Sequence, residues 1–212
     1  MKKIGLFISR DPIKINFCKW SINHYPILLV TGLAGSGKTT LCACLAKRYN
    51  AKSISLDALK FFDKSNKDSQ NEVIHFLELY PEITDLIKKQ WAKNDKYNTN
   101  DFLYKKYCLI FFDYLINKYK TSNKLIIIEG IQIFVRLPLN HCVSFPCCVL
   151  MKSSSKCMLS YILREYCYAK RKPSFITIIH EIYLYHIKQR NLLNKYISIM
   201  LNKNNYQYLA SK

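Results

Sequence analysis

An α/β domain built on a parallel sheet with right-handed crossovers is predicted by three observations. Apolar runs without polar alternation recur along the chain, helical patterns separate them, and a glycine-rich loop joins the first run to the first helical pattern. At 212 residues, half of them apolar, the chain is long enough to bury one substantial core and short for two, so one domain is expected.

The elements follow in order. Tyr25-Pro-Ile-Leu-Leu-Val-Thr31 has the continuous apolar character of a strand covered on both faces. From Thr39 to Arg48 good helix formers end in basic residues, which oppose the helix dipole. Lys52-Ser-Ile-Ser-Leu-Asp57 alternates and closes on an acid, a second strand that delivers Asp57 at its C-terminal edge. Residues 71–93 are helical in pattern, with Pro81 dividing them. A polar connection over 93–100 leads to a helix at about 101–119, capped by Asn100 or Asp101.

Residues 124–130 form the clearest buried strand, and 146–151 another. A helix over Ser153 to Tyr168, with Ser153 to Ser155 as candidate caps, precedes the basic break Lys170-Arg-Lys-Pro173. A long helical pattern from Ile176 to about Met200 and a short strand near Tyr206 to Leu209 complete the scheme. Residues 1–24 stand outside it, as an N-terminal extension or edge element, with the domain proper at 25–212.

Composition narrows the function classes. No apolar run approaches the roughly 18 residues of a membrane helix, and the opening apolar stretch falls short of the roughly 7–15 residues of a secretory signal. The nine cysteines are odd in number and scattered, without the paired spacing of a zinc site. A soluble protein of the reducing cytoplasm is expected. His141, Cys142, Cys147 and Cys148 cluster in sequence, but adjacent strand residues point to opposite faces, so these read as buried thiols. The net charge of +19 is uneven, since after Gly130 two acids, Glu165 and Glu181, face twelve Lys and Arg. Such a surface suits a nucleotide or a nucleic acid, with AT-rich coding as the competing explanation.

Gly32-Leu33-Ala34-Gly35-Ser36-Gly37-Lys38-Thr39 satisfies G-x-x-x-x-G-K-[ST], the phosphate-binding P-loop, between a predicted strand and a predicted helix. In such a loop the backbone N–H groups from Gly32 to Thr40 curl around phosphate oxygens, Lys38 neutralises the β- and γ-phosphates, and the Thr39 hydroxyl ligates magnesium. The chain has only five glycines, where average usage of about 7% would give roughly fifteen. Three lie in this loop, and a fourth, Gly130, follows Glu129, as though glycine were kept where phosphate requires close backbone approach.

The strand ending at Glu129 has the Walker B form and would bring a carboxylate to the same magnesium ion. Asp57, at a strand end near the γ-phosphate, is the candidate base for an acceptor hydroxyl, preferred to the nearby Asp63. Arg164, Lys170, Arg171 and Lys172 form a candidate lid near 164–175 that would close over ATP and stabilise the transferring phosphoryl group.

Together these motifs resemble the uridine kinase and phosphoribulokinase branch of P-loop kinases. Ser55-Leu-Asp57-Ala-Leu-Lys-Phe61 is similar to that family's strand-end aspartate followed by aromatics, where the aspartate is the catalytic base. Ile128-Glu129-Gly130-Ile131 resembles its Glu-Gly strand, whose glutamate helps bind magnesium, and Tyr161-Ile-Leu-Arg164-Glu165 with Lys170-Arg171-Lys172 resembles its Arg-Asp helix and Arg-rich lid. The resemblance implies a three-layer sandwich with a central parallel sheet of about five strands. It also implies catalytic roles for Lys38, Asp57, Arg164 and Arg171, and transfer of phosphate from ATP to a small hydroxyl-bearing acceptor, first of all a nucleoside. Two alternatives stay open: a kinase acting on a polynucleotide end or a conjugated sugar in the manner of a toxin, and an NTPase switch that needs no acceptor.

Overall fold

In the computed structural model the described residues are 4–9, 26–93, 101–135, 137–138, 142, 144–151, 156–157, 159, 175–202 and 206–210. Six parallel strands form one sheet, in the order β3-β4-β2-β5-β1-β6. They are β1 (Ile4–Ser9), β2 (Ile27–Gly32), β3 (Lys52–Ser55), β4 (Ile126–Glu129), β5 (Cys147–Leu150) and β6 (Tyr206–Ala210). The helices are α1 (Lys38–Tyr49), α2 (Lys67–Leu79), α3 (Pro81–Lys93), α4 (Asp101–Tyr119), the short α5 (Gln132–Val135) and the long α6 (Phe175–Asn202). The predicted division at Pro81 and the helix over 101–119 agree with these bounds.

The central strands are buried throughout, as their unbroken apolar runs predict, and successive residues feed opposite layers. On one face Ile27, Leu29, Ile126, Ile128, Cys147 and Val149 pack with Phe76 of α2, Phe111 of α4 and Leu193 of α6. Leu28, Val30, Ile127, Cys148 and Leu150 turn to the other face, where Leu41, Cys42 and Leu45 of α1 cover them. Cys147 and Cys148 therefore lie in different layers, and among the described residues no group of three His, Cys, Asp or Glu could hold a metal ion. No helix there is long and apolar enough to cross a membrane.

Two features differ from the sequence-based expectation. The segment 1–24 contributes β1, which pairs with β5 on one side and β6 on the other, so it has a place within the sheet and gives six strands where about five were expected. The strand that begins at Lys52 ends at Ser55, because the Ser55 hydroxyl accepts from the Asp57 amide and starts a 3-10 turn over Leu56–Leu59. Asp57 thus belongs to that turn.

β3 is a sheet edge, and the start of α2 covers it. Ser53 N donates to Asp68 Oδ2 at 3.3 Å, Ser55 N to Ser69 Oγ at 2.8 Å, and Asn66 Nδ2 to the Ser53 carbonyl at 3.1 Å. Asn66 also caps α2, accepting from Ser69 N at 2.8 Å. These bonds occupy ladder groups that would otherwise be free to pair with another chain.

Candidate functional site

Because all six strands run parallel, their C-terminal ends share one edge of the sheet, and the residues that follow β2, β3 and β4 meet there. The chain leaving β2 crosses over β4 to reach β3, whereas β5 lies on the other side of β2, so connections diverge at this strand. Such a divergence opens the crevice in which α/β sheets bind ligands.

The loop between β2 and α1 has three glycines with left-handed or otherwise positive φ: Gly32 at 148°, Gly35 at 76° and Gly37 at 94°. Gly32 also has no room for a side chain, since a Cβ there would stand 2.6 Å from the Leu150 carbonyl oxygen. Gly37 precedes α1 without a side-chain cap, and no acid occupies the first helical turn, which leaves the N–H end open toward an anion. Lys38 is nearly buried, and its ammonium donates to the carbonyls of Gly32 at 3.1 Å and Leu33 at 2.9 Å, folding back over the loop. The Ser36 hydroxyl is buried without a hydrogen-bond partner.

β2 and β4 are tied together beyond their ladder. Gly130 N donates to Val30 O at 3.1 Å and Thr31 Oγ1 donates to Gly130 O at 2.8 Å, which locks the base of the loop to the Glu129-Gly130 turn. Across this junction the exposed Thr39 hydroxyl meets Glu129, at 3.1 Å from Oε1 and 3.3 Å from Oε2. Adjacent ligands of an octahedral magnesium at about 2.1 Å stand about 3 Å apart, so these oxygens have the spacing of two neighbouring positions in such a shell. Glu129 is 4% exposed. Burial pushes its carboxyl above the usual range, the Asp57 charge adds to this, and Lys38 and the bonds from Thr39 and Ser55 oppose it. A buried acid so placed gains from a cation.

Asp57 is half-buried, and its carbonyl accepts from the amides of Lys60 and Phe61, which closes the 3-10 turn. Its Oδ1 accepts from Gln132 Nε2, the first residue of α5, and the same amide nitrogen lies 3.3 Å from the Tyr104 hydroxyl. Burial raises the Tyr104 phenol well above its usual value, so it stays protonated. Asp63, the sequence competitor, is exposed in the next 3-10 turn, Phe62–Lys64.

The structure therefore brings Gly32 to Thr40, Asp57 and Glu129 to one edge. Arg164, Lys170, Arg171 and Lys172 lie outside the described residues, as does most of the predicted helix 153–168. Gln132 and Tyr104 are new. Neither belongs to a local motif, because the contact of Gln132 with Asp57 spans 75 residues. The one sequence signal was Gly130, and its meaning changes. A Cβ at Gly130 would collide with Gln132 Oε1 and stand 3.1 Å from Leu56 Cβ, so this glycine makes room for a side chain.

No curated protein matches the chain. The crystal structure of TT1252 from Thermus thermophilus is similar with a TM-score of 0.42 and 14% identity, over 89% of this chain and 90% of that one. Residues 14–132, from before β2 to the residue that touches Asp57, match the model of the family described as nephrocystin 3, N-terminal, a span of more than half of the sequence. With its nucleotide-binding type of α/β fold, the chain belongs to the nephrocystin 3 N-terminal family.

Proposed function

We propose that this protein is a magnesium- and ATP-dependent phosphotransferase of the uridine kinase-like kind, which moves the γ-phosphate to a hydroxyl of a small acceptor, with a nucleoside as the leading candidate. The observation that carries the proposal is the convergence on one sheet edge of Lys38 above its loop, the Thr39 and Glu129 oxygens at 3.1 Å, and the Asp57 carboxylate beyond β3. Lys38 would exchange its two loop carbonyls for phosphate oxygens, a stronger partner for an ammonium. Thr39 and Glu129 would hold the ion, which supplies charge neutralisation to the β- and γ-phosphates when bound. Asp57 Oδ1 is held by Gln132, and Oδ2 makes no hydrogen bond among the described residues. That oxygen would take the proton of the acceptor hydroxyl.

The test is transfer of labelled γ-phosphate from ATP to nucleosides, nucleotides and oligonucleotide ends, with wild type, Lys38→Ala and Asp57→Asn compared. A labelled acceptor product that both substitutions abolish supports the reading and names the acceptor class. Label released only as free phosphate, unchanged in Asp57→Asn, overturns it in favour of the NTPase switch.

A further inference from the structure

Gln132 is 2% exposed, an uncharged side chain with four hydrogen-bonding positions placed beside one acid, Asp57, and one phenol, Tyr104. Its amide hydrogens face Asp57 Oδ1 and the Tyr104 oxygen. Its Oε1 is buried with no hydrogen-bond partner and lies where a Cβ of Gly130 would be. An orphaned buried carbonyl is destabilising, so this carboxamide is held in a pose that its own oxygen does not favour. The amide–carboxylate bond opposes that cost, because bonds to a charged acceptor are the stronger kind.

From this we infer that Gly130 and Gln132 act as one device that orients the base: Gly130 leaves the space into which the Gln132 carboxamide folds, and Gln132 holds Asp57 by Oδ1 so that Oδ2 faces the acceptor. The inference rests on the proposed phosphotransfer and makes Gln132 a positioning residue, since it acts through Asp57. It also gives the Glu129-Gly130-Ile131-Gln132 segment two duties three residues apart, one toward the metal position and one toward the base. The atom that a Gly130 Cβ would strike is the far end of a flexible side chain, so Gly130→Ala displaces the carboxamide, while Leu56 Cβ, at 3.1 Å, has to give by only a few tenths of an ångström.

Three variants test this: Gln132→Met, which keeps the volume and loses the donor, Gly130→Ala, and the double variant. Each is assayed for kcat, for KM of ATP and for binding of a fluorescent ATP analogue. Gln132→Met is expected to lower kcat about 10- to 100-fold, the usual effect of losing an orienting partner, with analogue binding within about twofold of wild type. Gly130→Ala is expected to reproduce the loss, and the double variant to be no worse than the more severe single one. A kcat of Gln132→Met within about twofold of wild type overturns the inference, as do losses that multiply in the double variant. If wild type transfers phosphate to no acceptor, the proposed function fails, and a cycle of unfolding equilibria for Asp57→Asn and Gln132→Met decides the remaining contact. Coupling of at least about twofold in the unfolding constant sustains it, and strict additivity overturns it.

Discussion

Glu72 and Glu129 are almost equally closed to solvent, 3% and 4% exposed, although Glu129 is packed more deeply, and their carboxyl groups are displaced in opposite directions. Burial raises both. At Glu72, in α2, it is outweighed by hydrogen bonds from Lys52, Tyr119 and Lys118 and by the Lys52 charge, which hold the carboxyl down at about 2. Lys52 Nζ reaches Oε1 at 2.5 Å, Lys118 Nζ reaches Oε2 at 2.9 Å, and the hydroxyls of Tyr119 and Tyr114 donate at 2.5 and 3.1 Å. At Glu129 the direct bonds come from neutral hydroxyls, and a second acid, Asp57, adds its repulsion. The first glutamate is fully satisfied by the protein and clamps α2 and α4 to the edge strand β3. The second is left short of positive charge, as expected of the magnesium position proposed for it.

The comparison can be broken most directly at the loop. Lys38→Ala removes the ammonium that, among the described residues, opposes the Glu129 charge shortage, and should lower phosphate transfer by about two to three orders of magnitude, as measured by labelled product. Glu129→Gln should lower turnover about 100-fold and raise the magnesium concentration needed for half-maximal rate, with a thermal midpoint at or above that of wild type, because an underpaired buried charge is gone. Glu72→Gln should do the reverse. It should cost about 2 kcal/mol in a denaturant titration, a figure reduced for the water around lysines that are about 30% exposed, and leave the turnover number unchanged.

The pH dependence sharpens the same contrast. A folded carboxyl near 2, against an ordinary value of 4.5, contributes stability that is fully present above the ordinary value and lost as pH falls from about 4.5 toward 2. Wild type should therefore lose stability over that window in acid unfolding followed by circular dichroism, and the Glu72→Gln variant should lose less. An effect of similar size is expected in a denaturant titration of a Gly32→Ala variant. Alanine there would meet the Leu150 carbonyl in a backbone conformation unsuited to a side chain, costing about 1–3 kcal/mol.

How far the sequence could be read follows from the range of each interaction. β2, the glycine loop, α1 and the strand ending at Glu129 were legible because pattern and motif are local, and Pro81 marked its helix boundary for the same reason. Asp57 was legible as a residue but not in its setting, since the Ser55 cap that ends β3 competes with the strand over only two positions. Gln132 was missed because its partners lie 75 and 28 residues away. Gly130 was noticed and misread, the demand on it being steric and made by a side chain. Glu72 carried no signal at all, because three of its four partners sit on a helix more than 40 residues on, and the clamp exists only once α2 and α4 are packed.

The place of β1 bears on the order in which the molecule can be assembled. This strand is made before the other five, yet its neighbours in the sheet are β5, some 140 residues later, and β6, about 200 residues later. During synthesis at about 5–20 residues per second it waits several seconds without a partner. The β3-β4-β2 part of the sheet, which carries the P-loop, is made before β5. Among the described residues β6 has β1 as its one sheet neighbour, so removing residues 4–9 would take the last strand out of the sheet and leave the order β3-β4-β2-β5 around the phosphate loop.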